Sequence, residues 1–388
     1  VVLGVTGSIA AYKIANLARM LVKRHCEVHV LMTQNATNFI NPITFETLTK
    51  HKCLIDTFDR NFEFSVEHVA LAKAADVVMI APASANVIGK IANGIADDML
   101  TTTVMACPCK KIVSPAMNHN MFHNPIVQDN IEKLKHYGYE IVEPAHGMLA
   151  NGDMGDGRMP DEELLFEYIV KEIAFEKDMT GKKVLVTAGA TVEAIDPVRF
   201  ITNHSSGKMG FALAKNAMLR GADVTLVMGK CDSEPPVFVN TVKVQSAKDM
   251  YDAVIERADS MDIIVKAAAV ADYRPKNVSS EKVKKQDGNM SIELERTDDI
   301  LKTLGERKNG QFICGFSMET ENMLENSRKK LEKKNCDMIV ANNLKQDGAG
   351  FGGNTNIVTL ITKDDEVQLE KMTKDEVAEK IFDFILSR

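Results

Sequence analysis

Short apolar runs alternate along the whole chain with longer stretches in which apolar residues recur every three or four positions. The first kind builds buried strands and the second builds helices with one apolar face. In the first half the pattern predicts strands over Val1–Val5, Val28–Met32, Val77–Ala81, Lys111–Ser114 and Glu140–Val142. Helices are predicted over Ala11–His25, Ser84–Asn93, Asn124–Tyr137 and Glu162–Phe175. The second half repeats the alternation through Lys183–Thr187, Lys208–Arg220, Asp223–Met228, Ala247–Ala258, Ile263–Ala268, Phe312–Phe316, Met338–Ala341 and Val358–Ile361. Strands that alternate with helices in this way predict an α/β protein with doubly wound sheets. Between the halves the pattern lapses into the charged stretch Lys171–Lys183 and restarts with a strand, as a linker does. Because 388 residues exceed what one core usually organises, two domains are expected, over 1–175 and 181–388.

Composition narrows the class of function. Charged residues make up 26% of the chain and hydrophobic residues 45%, yet no uninterrupted apolar stretch approaches the roughly 18 residues of a membrane span. The longest candidate, Ile263–Ala271, is broken by Lys266. A formal net charge of −7 argues against general nucleic-acid binding and leaves small anions as the expected partners. Seven scattered cysteines, an odd number, read as reduced thiols of a cytoplasmic protein. Cys107 and Cys109 supply only a C-x-C pair, short of the four ligands that zinc usually takes. The apolar start has no basic segment before it and reads as strand, turn and helix rather than as a signal peptide.

Candidate chemistry sits where the predicted strands end. Thr6, Gly7, Ser8 and Ile9 follow the first strand, where hydroxyls and backbone amides can hold a phosphate. The turn lacks the G-x-G-x-x-G pattern, and the second strand runs into Met32, Thr33 and Gln34 without an acidic ribose ligand, which argues against NAD. The segment APASAN brings Ser84 and Asn86 to a second turn, PAMN brings Asn118 with Met121 to a third, and Gly147–Pro160 is long enough to form a flap. A metal reading of His119 and His123, spaced i, i+4, is set aside because the PAMN turn argues against a helical pair. The flap does not read as a calcium loop, since Asp156 stands where such a loop needs glycine.

With GSIAAYK, Glu67–His68, APASAN, PAMNHNM and GDMGDGRMP together, roughly residues 1–165 resemble the flavin-dependent cysteine decarboxylases, specifically phosphopantothenoylcysteine decarboxylase. The resemblance implies a flavodoxin-like domain that binds FMN through Gly7, Ser8, Ile9, Thr33, Ser84 and Asn86 and assembles as a trimer. It implies oxidation of the substrate thiol to a thioaldehyde, loss of carbon dioxide and reduction of the enethiol. His68 is implied as the base, Asn118 and Met121 as neighbours of the substrate carboxylate, and Gly147–Arg158 as the clamp. A neutral imidazole suits the base, because it titrates near working pH. The chain departs from the family at Asn151, where a cysteine normally protonates the enethiol. An amide has no acidic proton near neutral pH, so decarboxylation is expected to run while the final reduction stalls.

The second half opens with Thr187–Thr191, continues through Arg199 and Ile201–Gly210, and places Ser205, Ser206 and Gly207 before a helix, a phosphate-binding arrangement without Walker A order. Asp272 follows a run of small residues in KAAAVADYRP, and Lys282 lies in the lysine-rich EKVKKQ. With DPVRFITNHSSGKMG, GF-x-M-E-T at Phe316 and VANN, residues 181–388 resemble phosphopantothenate–cysteine ligase, here expected on a Rossmann-like domain. That resemblance implies CTP, brought with Mg²⁺, activating the carboxylate of 4'-phosphopantothenate before the amine of cysteine attacks. Asn203 would hold the acyl-cytidylate, Arg199 would support its segment, and Lys282 would act as a strap. Ser205, Ser206, Gly207, Asp272, Lys282 and Phe316 would bind CTP. Ala188 and Ala190 stand where that family often has glycine.

In this order the halves resemble the bacterial bifunctional coenzyme A biosynthesis proteins, in which the ligase product phosphopantothenoylcysteine becomes the decarboxylase substrate. Trimers and dimers in one chain imply a homo-dodecamer. Two competing readings are a peptidyl-cysteine decarboxylase that stops at an enethiol and a flavin-binding regulatory subunit without turnover. No metal ligand is named by the sequence.

Overall fold

The computed structural model describes residues 1–58, 67–149, 152–284, 290–319, 322–343 and 353–388. The chain divides into two compact units, Val1–Phe175 and Glu176–Arg388. In the first unit, β1 (Val2–Val5), β2 (His29–Met32), β3 (Val77–Ala83), β4 (Lys110–Pro115) and β5 (Glu140–Ile141) form one parallel sheet in the order β2-β1-β3-β4-β5. This is the flavodoxin-like order. Alternate side chains of one strand enter opposite layers. Val77 and Met79 join Ile14, Leu17, Leu21, Leu165 and Ile169 on one face. Val78 and Ile80 join Ile88, Leu100, Ile131 and Leu134 on the other. Burial on both faces explains why β3 reads as one apolar run, and each fully buried Leu or Ile contributes about 1.5–3 kcal/mol. A two-stranded flap, β6 (Ala145–Met148) with β7 (Met154–Arg158), stands apart from the sheet.

The second unit carries an eight-stranded sheet. Its strands are β8 (Lys183–Ala188), β9 (Asp223–Met228), β10 (Asn240–Lys243), β11 (Ile263–Lys266), β12 (Phe312–Glu319), β13 (Met338–Asn343), β14 (Val358–Ile361) and β15 (Glu366–Gln368). The order β10-β9-β8-β11-β12-β13 is parallel and Rossmann-like, and β14 and β15 extend it antiparallel. The sheet is therefore mixed, whereas alternation alone predicts a parallel one. Leu185, Val254, Ile264, Leu304, Ile313, Leu331 and Ile339 build one core layer. In both units the strand order reverses beside the first strand, at β1/β3 and at β8/β11, so a crevice opens at the carboxyl ends there. Among the described residues no helix is long and apolar enough to cross a membrane.

Candidate active sites

At the carboxyl edge of the first sheet, Thr6 ties two turns together. Its Oγ1 donates to Pro82 O at 2.6 Å and accepts from the Ser84 amide at 2.9 Å. Ser84 caps the helix Ala85–Ala92, and Thr33 caps the short helix Gln34–Asn38. Gly7 lies against that second helix, because a Cβ there would meet Asn35 Cβ at 2.8 Å. The turns after β1, β2 and β3 thus converge. Beside them is a cavity of about 480 Å³ lined by Ser8, Ile9, Tyr12, Lys13, Ala116, Met117, Asn118, Met148, Leu149, Gly157, Arg158 and Met159. Its volume suits a flat aromatic ligand, and its walls mix thioether, aliphatic and cationic groups.

Of the predicted residues, Ser8, Ile9 and Asn118 line this cavity. Gly7, Thr33 and Ser84 stand behind it in the convergent turns, and Asn86 is exposed on the helix after Ser84. Half-buried His68 lies on the helix Glu67–Ala74, and Met121 is exposed on the helical turn His119–Phe122; neither lines the cavity. Asn151 lies outside the described residues. Asn118 caps the turn, its Oδ1 accepting from the Asn120 amide at 2.9 Å.

The flap is held against the PAMN segment by backbone contact. The Met117 amide donates to Gly157 O at 3.0 Å, and a Cβ on Gly157, whose φ is +117°, would lie 2.3 Å from Met117 O. Glycine is required there. Contrary to the expectation from the PAMN turn, His119 opens a helical turn, the His123 amide bonds back to His119 O at 3.0 Å, and the two rings lie 4.4 Å apart. The side-chain cap from Asn118 supplies the start that the turn was expected to prevent.

In the second unit the loops after β8 and β11 are knitted across the switch point. Thr187 Oγ1 accepts from the Ala268 amide and Thr191 Oγ1 from the Ala271 amide, each at 3.0 Å, and the Ala269 amide donates to Gly189 O at 2.8 Å. They frame a cavity of about 470 Å³ that includes Asn203, Ser205, Ser206, Gly207, Asp272 and Phe316 among its lining residues. Gly207, at φ +78°, begins the helix Lys208–Leu219, and a Cβ there would lie 2.4 Å from Cys231 Sγ. The amino end of this twelve-residue helix therefore borders the cavity, with its positive pole.

Arg199 and Lys282 do not line the cavity. Arg199 Nη1 instead donates to Asp196 Oδ2 at 3.2 Å and to Val283 O at 3.0 Å. Buried Asp196 accepts from the Val198, Arg199 and Val283 amides at 2.8, 2.8 and 3.1 Å. Burial works against the Asp196 charge, yet these amides and Arg199 hold its carboxyl below the usual range. The pair anchors the chain beside exposed Lys282, while Lys285 and Gln286 of the same stretch, and Gly348–Gly352, lie outside the described residues.

Sequence reading missed most of the cavity's charge. Lys208, Lys266, Lys330 and Lys374 all line it, and Asp272 is the one carboxylate among its described lining residues. Lys266, which breaks the apolar run at the end of β11, is half-buried at the cavity wall, and burial followed by the Lys330 charge pulls its ammonium down to about 8. Asn342 is buried at the cavity wall with its Oδ1 unpaired among the described residues, an acceptor ready for a ligand donor. These lysines come from separate elements with no common spacing, so only the topology assembles them.

Comparison with known proteins matches the units separately. Residues 1–174 match the Flavoprotein family and residues 179–388 the family described as DNA/pantothenate metabolism flavoprotein C-terminal domain. Similar proteins span nearly the whole chain. The coenzyme A biosynthesis bifunctional protein CoaBC of Bacillus subtilis (strain 168) is 48% identical, over 94% of this chain and 90% of its own length. That of Vibrio cholerae serotype O1 is 43% identical over 99% and 97%. A cysteine/cysteine sulfinic acid decarboxylase from an unknown prokaryotic organism is 43% identical over 90% and 99%. With a flavoprotein unit and a pantothenate-metabolism unit in this order, and such identity over almost its full length, the chain belongs to the family of bifunctional coenzyme A biosynthesis proteins.

Proposed function

We propose that this chain joins 4'-phosphopantothenate to cysteine at the expense of CTP and then decarboxylates the phosphopantothenoylcysteine so formed. The observation that carries the ligase half is the cavity in which, among the described residues, four lysines and a helix amino end meet a single carboxylate. Such a site favours a polyanion and stabilises a leaving pyrophosphate. The carboxylate of phosphopantothenate attacks the α-phosphorus of CTP and pyrophosphate leaves. The cysteine amine then attacks the acyl carbon, loses a proton and expels CMP. Ser205, Ser206 and Gly207 would bind phosphate, Phe316 and Asp272 the nucleoside side, and Lys282 would close over the phosphates. Mg²⁺ would arrive with CTP, with Asp272 as the lining carboxylate available to it. Asn203, which lines the cavity and whose Nδ2 donates to Val270 O at 3.2 Å, would hold the acyl-cytidylate.

For the decarboxylase half, the residues present fit FMN: Gly7 leaves no room for a side chain, and Ser8, Ile9, Thr33, Ser84 and Asn86 surround the convergent turns that would hold it. When bound, FMN supplies the hydride acceptor for oxidation of the thiol-bearing carbon. His68 takes the proton of the thiol, Asn118 and Met121 hold the carboxylate, and the flap excludes water. His68 and Asn86 lie outside the cavity of one chain, and in the homo-dodecamer of trimers and dimers that we propose a second copy would bring them to the site. Asn151 offers no acidic proton, so the product stops at the enethiol. A second reading, decarboxylation of free cysteine, is favoured by the full-length likeness to the cysteine/cysteine sulfinic acid decarboxylase.

The ligase assignment is tested by incubating the chain with phosphopantothenate, cysteine, Mg²⁺ and either CTP or ATP, with release of pyrophosphate as the readout. CTP should be preferred, and Asn203→Ala should depress steady-state ligation. Unchanged ligation by Asn203→Ala would remove that residue from the reaction.

A further inference from the structure

We propose that His119, His123 and Asp156 form a binding site for a divalent transition-metal ion that staples the flap to the PAMN segment. Each of the three offers one ligand atom, and these atoms lie within 4.8 Å of one another. His123 Nε2 already lies 2.9 Å from Asp156 Oδ2. At metal–nitrogen and metal–oxygen lengths of about 2.0–2.2 Å, tetrahedral ligand atoms are roughly 3.3 Å apart, so modest rotations of half-exposed side chains close the set. The second carboxylate oxygen is engaged independently, since Asp156 Oδ1 lies 2.9 Å from His146 Nδ1. That contact orients the carboxylate as an outer partner orients a metal ligand. Two imidazoles and one carboxylate suit Zn²⁺, Co²⁺ or Ni²⁺ better than the oxygen-seeking Mg²⁺ or Ca²⁺.

The backbone prepares this arrangement. Asp156 stands between Gly155 and Gly157, and a Cβ on Gly155 would lie 2.8 Å from His119 Nδ1 and 2.9 Å from its Cγ. With both glycines bare, β7 packs directly on the helical turn His119–Phe122. The Asp156 amide donates to His119 Nδ1 at 3.1 Å, and because a neutral imidazole has one lone pair, ligation exchanges this bond for the bond to the ion. Asp156 is carried by the flap, and His119 directly follows Asn118, with His123 one helical turn further on. A bound ion therefore links the clamp to the segment that lines the first cavity, and it does so whichever substrate that cavity takes.

The test is a Co²⁺ titration of the intact chain, read by the visible d–d bands of a low-coordinate site, with Zn²⁺ competition. A second His and carboxylate cluster, Glu27, His29 and His51, provides the internal control. The parent should bind Co²⁺ with d–d bands. His123→Gln, which keeps a polar side chain on an exposed position, and Gly155→Ala, which displaces the His119 ring, should each weaken binding about 10- to 100-fold. His29→Gln should leave these bands unchanged. Zn²⁺ should also slow hydrogen exchange across 145–158 in the parent and not in His123→Gln. Parent chain without Co²⁺ bands, or His123→Gln with the parent's affinity and bands, would overturn the proposal.

Discussion

Asp196 shows how one buried carboxylate ties two segments of the second unit together. It gathers three backbone amides and Arg199, and one of those amides belongs to Val283, the neighbour of Lys282. Asp196→Asn exchanges this charged acceptor for a neutral amide and should lower CTP-dependent ligation about tenfold while leaving decarboxylation of supplied phosphopantothenoylcysteine intact. Separate assays of the two reactions check this, and equal loss of both would contradict the anchor role. Lys266 gives a pH signature. With its ammonium pulled down to about 8, the charge that would face a phosphate of bound CTP disappears as pH rises through that value. CTP affinity should fall about tenfold between roughly pH 7 and 9, and Lys266→Met should flatten the profile. Stability of the ligand-free chain moves the other way. From about pH 8 toward the ordinary lysine value near 10, the unfolded chain holds a proton that the folded chain lacks, so this group's contribution to stability rises with pH. Titration calorimetry and denaturant unfolding at several pH values measure the two slopes.

At the scale of elements, local pattern and tertiary context share control. Helices with a clear apolar face, such as Ala247–Ala258 with its Ser246–Asp249 capping box, were legible to the residue. The helix Met99–Ala106 was not, because its Thr-rich sequence favours strands; Asp98 caps it and Leu100, Thr103 and Val104 are buried. Pro42–Thr49 was missed for its brevity, although Asn41 and Pro42 mark its start. The antiparallel β14 has the same apolar character as the parallel strands, so its direction follows from connections that alternation does not encode, and exposed β15 offers no apolar run to read. The flap depends on one residue's backbone. Gly157→Ala places a Cβ against Met117 O in a conformation that L side chains rarely adopt, at a cost of about 1–3 kcal/mol. The flap should then part from the PAMN segment, raising KM for decarboxylation and proteolytic nicking within 145–158, with CTP-dependent ligation unchanged. Parent-like KM and nicking would show that the clamp does not depend on this contact.

Across the whole molecule, the turns were legible because each is written in consecutive residues: Gly7–Ile9, Ser84–Asn86, Pro115–Asn118 and Ser205–Gly207. The lysine-lined cavity was not, since Lys266, Lys330 and Lys374 meet only when three distant segments reach one sheet edge. His119 and His123 were paired by their spacing and set aside because of the PAMN turn, and Asp156 reaches them only through the flap. The central claim is that one chain makes a thiol-bearing amide in one unit and removes its carboxylate in the other. It is tested most directly by mass spectrometry of the products formed from 4'-phosphopantothenate, cysteine, CTP and Mg²⁺ by the FMN-loaded chain. The account predicts phosphopantothenoylcysteine, formed with one CMP and one pyrophosphate, followed by loss of carbon dioxide to a species two hydrogens short of phosphopantetheine. Asn151→Cys should carry that species through to phosphopantetheine. No CTP-dependent condensation, or carbon dioxide released from free cysteine while the condensed product keeps its carboxylate, would contradict the account.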